Sequence, residues 1–373
     1  MFGEVHEKVI HLIPEVTMVY GAGISEHFVS YLNRYKYDKV FFVTEEVLFN
    51  LHGKKLYETI QASGVKCELV TIHATEEEKN MPALEKLCSK LIDLHISKDS
   101  FVVSFGGGIV GNVVGLAAAM IYRGVKYIEI PTTFMGQTDS SLSNKQAVNG
   151  RNGKNQLGVY SAPVFVWSDM EYIATESIRH IKAGITEGIK NGLISDAAFL
   201  DKLMPLVRNK TSFTVDELLN LYEIITDSKN YILGKDPSEK KYCVILEYGH
   251  TFGHAMEFLS KGRVIHGEAV AMGMCIAAEV GKMEGYLNDE QVALHYDLLN
   301  DFMYQLKDGE KFEFDADQIF QAIQNDNKRT KDGVKYVLLS TIGDCLVGDG
   351  DYQVEVEESV IKNAINLFFS KRY

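Results

Sequence analysis

Through the first half of the chain, short unbroken apolar runs alternate with stretches whose apolar residues recur every three or four positions. DKVFFVTEEVL reads as a buried strand followed by a turn, and KKLYETIQASG behind it has helical spacing. KCELVTIHA is the next strand pattern, and PALEKLCSKLIDLHI is a strongly amphipathic helix. SFVVSFGGG is an apolar run closing on glycine. A helical pattern follows through GLAAAMIYRG, then a further strand at VKYIEIPTT. Strands alternating with helices predict parallel β–α–β units and a doubly wound α/β sheet.

After Asp169 the pattern changes. ESIRHIKAGITEGIKNGLISDAAFLDKLM, VDELLNLYEIITDSKNYILG, GHTFGHAMEFLS and HGEAVAMGMCIAAEVGKM all carry apolar residues at helical spacing, with few strand candidates. We therefore expect an α/β domain over residues 1–169 and an all-α domain over residues 170–373, with YVLLSTIGDCLVG as a small hairpin inside it. Internal repeats and low-complexity tracts are absent from the sequence.

Composition narrows the class. The 373 residues are 46% hydrophobic, enough to fill substantial cores. A net charge of −13 disfavours a nucleic-acid partner, although local basic clusters still suit small anions. The five cysteines are odd in number and share no paired spacing, which fits a reducing cytoplasm better than a disulfide frame or a cysteine zinc site. MFGEVHEKVI is charged within its first turn, unlike a signal peptide, and no run approaches the roughly 18 apolar residues of a membrane span.

Three stretches carry candidate chemistry. In FGGGIVGNVVG, Gly106, Gly107 and Gly108 end a strand and open a helix, so backbone amides and the helix dipole can approach a pyrophosphate. A tight strand-to-helix turn would use the same glycines. Glu45, just after the first strand of the alternating pattern, stands where an acid can bind a ribose hydroxyl. PTTFMGQTDSSLSNKQAVNGRNGKN is unusually polar for a segment leaving a buried strand and reads as a long functional loop. Its Lys145, Lys154 and Asn155 suit a phosphate, and Asp139 among hydroxyl residues suits a sugar. In EYGHTFGHAME, His250 and His254 are one helical turn apart, with Glu187 upstream and His266 downstream. These side chains either hold a metal or are polar groups satisfied within the core. A metalloprotease motif is excluded, because Thr251, Phe252 and Gly253 supply no glutamate between the histidines.

Taken in order, GGGIVGNVVG, YRG, PTTFMGQTDSS, KQAVN, GKNQLG, TEGIKNG, EYGHTFGHAME, HGEAVAMGM and NDNKR resemble the dehydroquinate-synthase-like sugar phosphate cyclases. The resemblance runs from about Val40 to Ile342. It implies a Rossmann-like NAD-binding domain, a helical domain, a site in the cleft between them, and a zinc ion, replaceable by cobalt. By motif, the implied metal ligands are Glu187, His250 and His266, with His254 beside the substrate. Implied NAD contacts are Glu45, Glu76, Lys79, Gly106, Gly107, Gly108, Asn112, Thr132, Thr133, Asp139 and Lys154. Around the sugar and phosphate it places Asp139, Lys145, Asn155, Lys190, Lys229 and Lys328. Arg123, in YRG, matches a residue that reaches a neighbouring subunit's phosphate site, which implies a homodimer.

Departures from the dehydroquinate pattern bear on the substrate. Asn112 stands where that enzyme usually has aspartate, Ser143-Asn144 where it has two glycines, and Cys243 and Glu247 where it has Arg-x-x-x-Asn. An arginine fork is the natural partner of a substrate carboxylate, so a thiol and a carboxylate there disfavour an acidic substrate. Asn112, SLSNKQAVN and Glu247 resemble the branch of the family that turns glucose 6-phosphate into 2-deoxy-scyllo-inosose on the way to aminoglycosides. That resemblance implies transient oxidation by NAD, phosphate elimination, re-reduction and intramolecular aldol closure. Lys145, Glu247, Asp139 and His254 are the implied catalytic and orienting groups. Alternatives are dehydroquinate or heptulose 7-phosphate cyclisation, and a metal-dependent alcohol dehydrogenase of the glycerol-dehydrogenase type.

Overall fold

The computed structural model describes residues 3–151, 153–307, 309–324 and 334–372. They form two compact units. The first holds the described residues through Ser177 together with Phe213–Tyr222, and the second holds Ile178–Ser212 and the described residues from Glu223 onward.

In chain order the first unit carries β1 (Val5–Ile10), β2 (Val16–Gly21), α1 (Phe28–Leu32), β3 (Val40–Thr44), α2 (Glu46–Leu48), α3 (Lys54–Ala62) and β4 (Cys67–Thr71). Then come α4 (Met81–Asp93), β5 (Phe101–Gly106), α5 (Gly108–Met120), β6 (Lys126–Pro131), β7 (Lys145–Val148), β8 (Leu157–Tyr160) and β9 (Phe165–Asp169). Seven strands build one sheet in the order β1-β2-β9-β6-β5-β3-β4, parallel except for the β1–β2 pair. Every position of β3, β5 and β9 is buried, as a parallel strand covered on both faces requires. Leu84, Leu87 and Leu91 of α4 and Val110, Val113 and Val114 of α5 pack on one face. Phe28 of α1 and Leu56 and Ile60 of α3 cover the other, against Phe42, Phe105 and Trp167.

The predicted strands at β3, β4, β5 and β6 form, as do the helices behind them. The polar stretch after β6 differs from the long loop expected. It makes a helical turn over Gly136–Ser140 and then pairs β7 with β8. Several of its polar side chains are buried, and backbone carbonyls engage two of them: the Gln137 amide donates to the carbonyls of Pro131 and Asp169, each at 3.0 Å, and Thr138 Oγ1 donates to Phe134 O at 2.8 Å.

The second unit contains α6 (Ile178–Ser195), α7 (Ala198–Val207), the later turns of α8 (Val215–Lys235), α9 (His250–Leu259), α10 (His266–Met283) and α11 (Asp289–Leu299). It continues through α12 (Ala316–Gln324), the antiparallel pair β10 (Leu339–Thr341) and β11 (Asp344–Cys345), and α13 (Glu358–Arg372). The expected hairpin in YVLLSTIGDCLVG is thus present. α10 is buried continuously from Gly267 to Gly281, and glycine lets its neighbours come close. A Cβ on Gly273 would lie 2.0 Å from Gly249 O, and one on Gly267 would lie 2.4 Å from Ala183 Cα in α6. Among the described residues no helix is long and apolar enough to cross a membrane.

Candidate active site

Three helices of the second unit bring together Glu187, His250 and His266. Glu187 projects from the middle of α6, while the histidines are the first residues of α9 and α10. Their ligand atoms all lie within 4.8 Å of one another. Glu187 is only 1% exposed, and its Oε1 accepts no hydrogen bond among the described residues. That oxygen stands 3.7 Å from His250 Nε2 and 3.6 Å from His266 Nε2. Both separations are too long for a hydrogen bond. They suit two ligands of one ion, since atoms about 2.1 Å from a tetrahedral zinc are about 3.4 Å apart.

The far sides of the ligands are fixed. His250 Nδ1 meets Tyr248 O at 3.2 Å, and a carbonyl can only accept, so Nδ1 carries the proton and Nε2 presents its lone pair. His266 Nδ1 is held in the same way by Glu257 Oε2 at 3.1 Å. Lys190, one turn along α6, donates to Glu187 Oε2 and leaves Oε1 facing the imidazoles. Two imidazoles, a buried carboxylate and engaged outer partners form a donor set that fits zinc or cobalt. The roles of Glu257 and the Tyr248 carbonyl were not anticipated. Glu257 lies in EYGHTFGHAME seven residues after His250, on the same face of α9, which is the only sequence signal for it.

The other candidates of this unit surround the triad in sequence. The His254 ring centroid lies 5.4 Å from that of His250 and 5.8 Å from that of His266, outside the ligand group. Lys229 is buried on α8, beside Ser228, whose hydroxyl accepts from the Asn191 amide at 3.1 Å. Glu247, half-buried, ends a turn over Tyr242–Glu247. Asp236 organises that turn, accepting from the amides of Lys241 at 2.7 Å and Cys243 at 3.1 Å. These donors and the Ser238 hydroxyl hold its carboxyl below the usual range against the opposing effect of burial. The Cys243 thiol is buried and directed at Asp236 O at 3.4 Å. Lys328 lies outside the described residues.

In the first unit the glycine turn joins β5 to α5. Connections from β3 and β5 run to opposite sides of the sheet, so the ends of these adjacent strands mark its switch point, where doubly wound folds bind ligands. Thr44 pairs with Phe105, which sets Glu45 at the level of Gly106. Glu45 accepts from Ala74 N at 3.3 Å, and burial raises its carboxyl pKa. A Cβ on Gly106 would lie 2.5 Å from Val110 Cγ2. Thr132 is buried, and its Oγ1 has no hydrogen-bond partner among the described residues; Thr133 Oγ1 accepts from Gly136 N at 3.0 Å. Asn112 bridges α5 to β7, donating to Gly108 O at 2.8 Å and accepting from Ala147 N at 3.1 Å.

A second group forms around Lys79, whose Nζ donates to Asn155 Oδ1 at 2.5 Å. Asn149, another residue not anticipated, accepts from Asn155 N at 3.0 Å and donates to Glu76 at 2.9 Å. Lys154 lies 3.5 Å from the Glu76 carboxylate. Asp139 is half-buried in the helical turn before β7, and Lys145 is exposed at the start of β7. Arg123 sits apart from these groups, exposed on a tight turn with φ +66°.

Known proteins share sequence and fold with this chain. Models of the 3-dehydroquinate synthase N-terminal and C-terminal regions match residues 69–183 and 184–329. A 2-deoxy-scyllo-inosose synthase of Micromonospora echinospora is 34% identical over 85% of this chain and 80% of its own. A 3-dehydroquinate synthase of Pseudoalteromonas atlantica is 30% identical over 89% of this chain and 91% of its own. The crystal structure of 2-deoxy-scyllo-inosose synthase complexed with carbaglucose-6-phosphate, NAD+ and Co2+ superposes with a TM-score of 0.87. It is 30% identical and covers 97% of this chain and 99% of that one. The chain therefore belongs to the 3-dehydroquinate synthase family.

Proposed function

We propose that the protein is a sugar phosphate cyclase converting glucose 6-phosphate to 2-deoxy-scyllo-inosose and phosphate, with NAD and Zn2+ or Co2+ as cofactors. The observation that carries this reading is the chemistry of the turn before α9. Cys243 is buried against Asp236, and Glu247 contributes a negative charge, so the turn has no guanidinium for a substrate carboxylate. A neutral polyol suits such a site, because its hydroxyls can donate to Glu247. The likeness to 2-deoxy-scyllo-inosose synthases supports the same choice.

Glu187, His250 and His266 would hold the cation, which supplies Lewis acidity toward a substrate hydroxyl, and NAD supplies reversible hydride acceptance. Lys190 and Glu257 orient Glu187 and His266, so the donor atoms converge before any substrate arrives. Lys145, Asn155 and Lys229 bind the phosphate and sugar, and Asp139 and His254 orient hydroxyls. Lys145 and Glu247 move protons during elimination and ring closure. Glu45 accepts from the cofactor's ribose, with the glycine turn, Thr132, Thr133, Glu76, Lys79 and Lys154 completing its contacts. Asn112 acts indirectly, by tying β7 to the first turn of α5. The protein works as a cytoplasmic homodimer, with the exposed Arg123 directed to the second subunit.

Incubation with glucose 6-phosphate, NAD and Co2+ is expected to release phosphate in step with carbocycle, without net NADH. NADH accumulating in proportion to turnover would overturn the cyclase reading. Phosphate release from the heptulosonate precursor of dehydroquinate, but not from glucose 6-phosphate, would overturn the substrate.

A further inference from the structure

The Tyr248 phenol and His295 have no place in the chemistry above, yet they are joined to it. Tyr248 is fully buried, and its hydroxyl lies 2.9 Å from Nε2 of His295, a buried residue of α11. His295 Nδ1 lies 2.8 Å from Gln291 O. That carbonyl can only accept, so the proton is on Nδ1 and the lone pair on Nε2. Burial lowers the His295 pKa to about 4, which leaves the ring neutral, so Nε2 accepts and the Tyr248 hydroxyl donates. The hydroxyl's other neighbour, Met274 O, is more distant at 3.4 Å. At the other end of the same residue, the Tyr248 carbonyl takes the Nδ1 proton of His250. Gly249 makes this possible with φ +77°, a left-handed turn that sets the Tyr248 carbonyl beside the first residue of α9.

We propose that Tyr248 and His295 are positioning residues that orient His250 through three hydrogen bonds, running from the Gln291 carbonyl by way of His295 to the phenol and, across the covalent frame of Tyr248, from its carbonyl to His250. His295 fixes the phenol, the fixed side chain sets its own carbonyl, and that carbonyl sets the tautomer and rotation of His250. The chain crosses from α11 to α9 and ties the ligand to a helix that contributes no ligand itself. The proposal rests on the reading of Glu187, His250 and His266 as a metal centre.

The test uses the full-length protein and Co2+ alone, with the dissociation constant from chelator competition and the visible d–d spectrum as readouts. Tyr248→Phe and His295→Leu are each expected to raise the Co2+ dissociation constant by about tenfold, the low end for outer-shell changes, and to alter the spectrum. The double variant should bind no more weakly than either single one, because all three break the same chain. His295→Gln, which keeps an acceptor for the phenol, should stay near wild type. Tyr248→Phe removes only a hydroxyl, so it decides the matter should His295→Leu fail to fold. Wild-type affinity and spectrum in Tyr248→Phe, even with a lowered melting temperature, would reduce the pair to a packing role and overturn the proposal. Equal Co2+ binding by wild type and Glu187→Ala would instead overturn the metal reading itself.

Discussion

Replacing Glu129 by glutamine isolates the cost of an acid kept inside the sheet. Glu129 lies on β6, two residues before Pro131, and is 5% exposed. Burial alone raises its pKa from 4.5 to about 7, with no counter-charge offsetting it among the described residues. Room for it is made by Gly111 in α5, where a Cβ would lie 2.5 Å from Glu129 Oε1. Below pH 4.5 the carboxyl is protonated in both folded and unfolded chains, so burial has no ionisation cost. Between pH 4.5 and 7 only the unfolded chain ionises, and stability falls; above pH 7 the loss is complete. At about 1.4 kcal/mol per pH unit, the full loss is about 3 kcal/mol. Glutamine has the volume of the neutral acid and nothing to ionise. In urea denaturation, Glu129→Gln should match wild type at pH 4 and exceed it by about 3 kcal/mol at pH 8. A gain of equal size at both pH values would point to packing, and no gain at pH 8 would mean that the carboxylate is solvated in place. Either result refutes the reasoning.

Glu257→Gln removes the charge from the partner of His266 Nδ1 and should weaken Co2+ binding by about 10- to 100-fold in chelator competition, with the fold preserved by circular dichroism. Glu247→Ala should lower kcat/KM for glucose 6-phosphate by at least about tenfold, the value of a hydrogen bond to a charged group, and leave the NAD dissociation constant unchanged; equal turnover would remove Glu247 from the site.

The sequence was most legible where one physical demand dominates. The strands at β3 and β5 are buried on both faces, so their apolar runs are unbroken and bounded by turn residues. His250 and His254 are a turn apart on one helix, so their shared face follows from spacing. The segment after β6 read as a loop because its polar residues show no strand or helix period, whereas Gln137 and Thr138 are buried and bonded to carbonyls that only the folded chain supplies. The pairing of Tyr248 with His295 spans 47 residues, and that of His266 with Glu257 joins two helices across a turn. Neither has a periodicity to read. Only the placement of α9, α10 and α11 creates these pairs.

The glycines around the histidines account for the density of the motifs that carry the family likeness. Gly267 follows His266, and a Cβ there would lie 2.4 Å from Ala183 Cα, one turn before Glu187. Gly249 precedes His250, and its carbonyl faces Gly273 so closely that a Cβ on Gly273 would lie 2.0 Å away. Helices α6, α9 and α10 therefore meet backbone to backbone beside each ligand. Short side chains can converge on one ion only where their Cα atoms are already near, so this approach sets the triad before any rotamer is chosen. The turn over Tyr242–Glu247 is under no such demand. It is held through Asp236 and the backbone amides of Lys241 and Cys243, bonds that do not involve the Glu247 side chain. The convergence of the candidate ligands Glu187, His250 and His266 is thus tied to glycine positions where a Cβ would meet neighbouring backbone. On the proposed function, the substrate-facing Glu247 sits on a turn held by other bonds, so the substrate can differ while the glycine-set approach of the three helices stays the same.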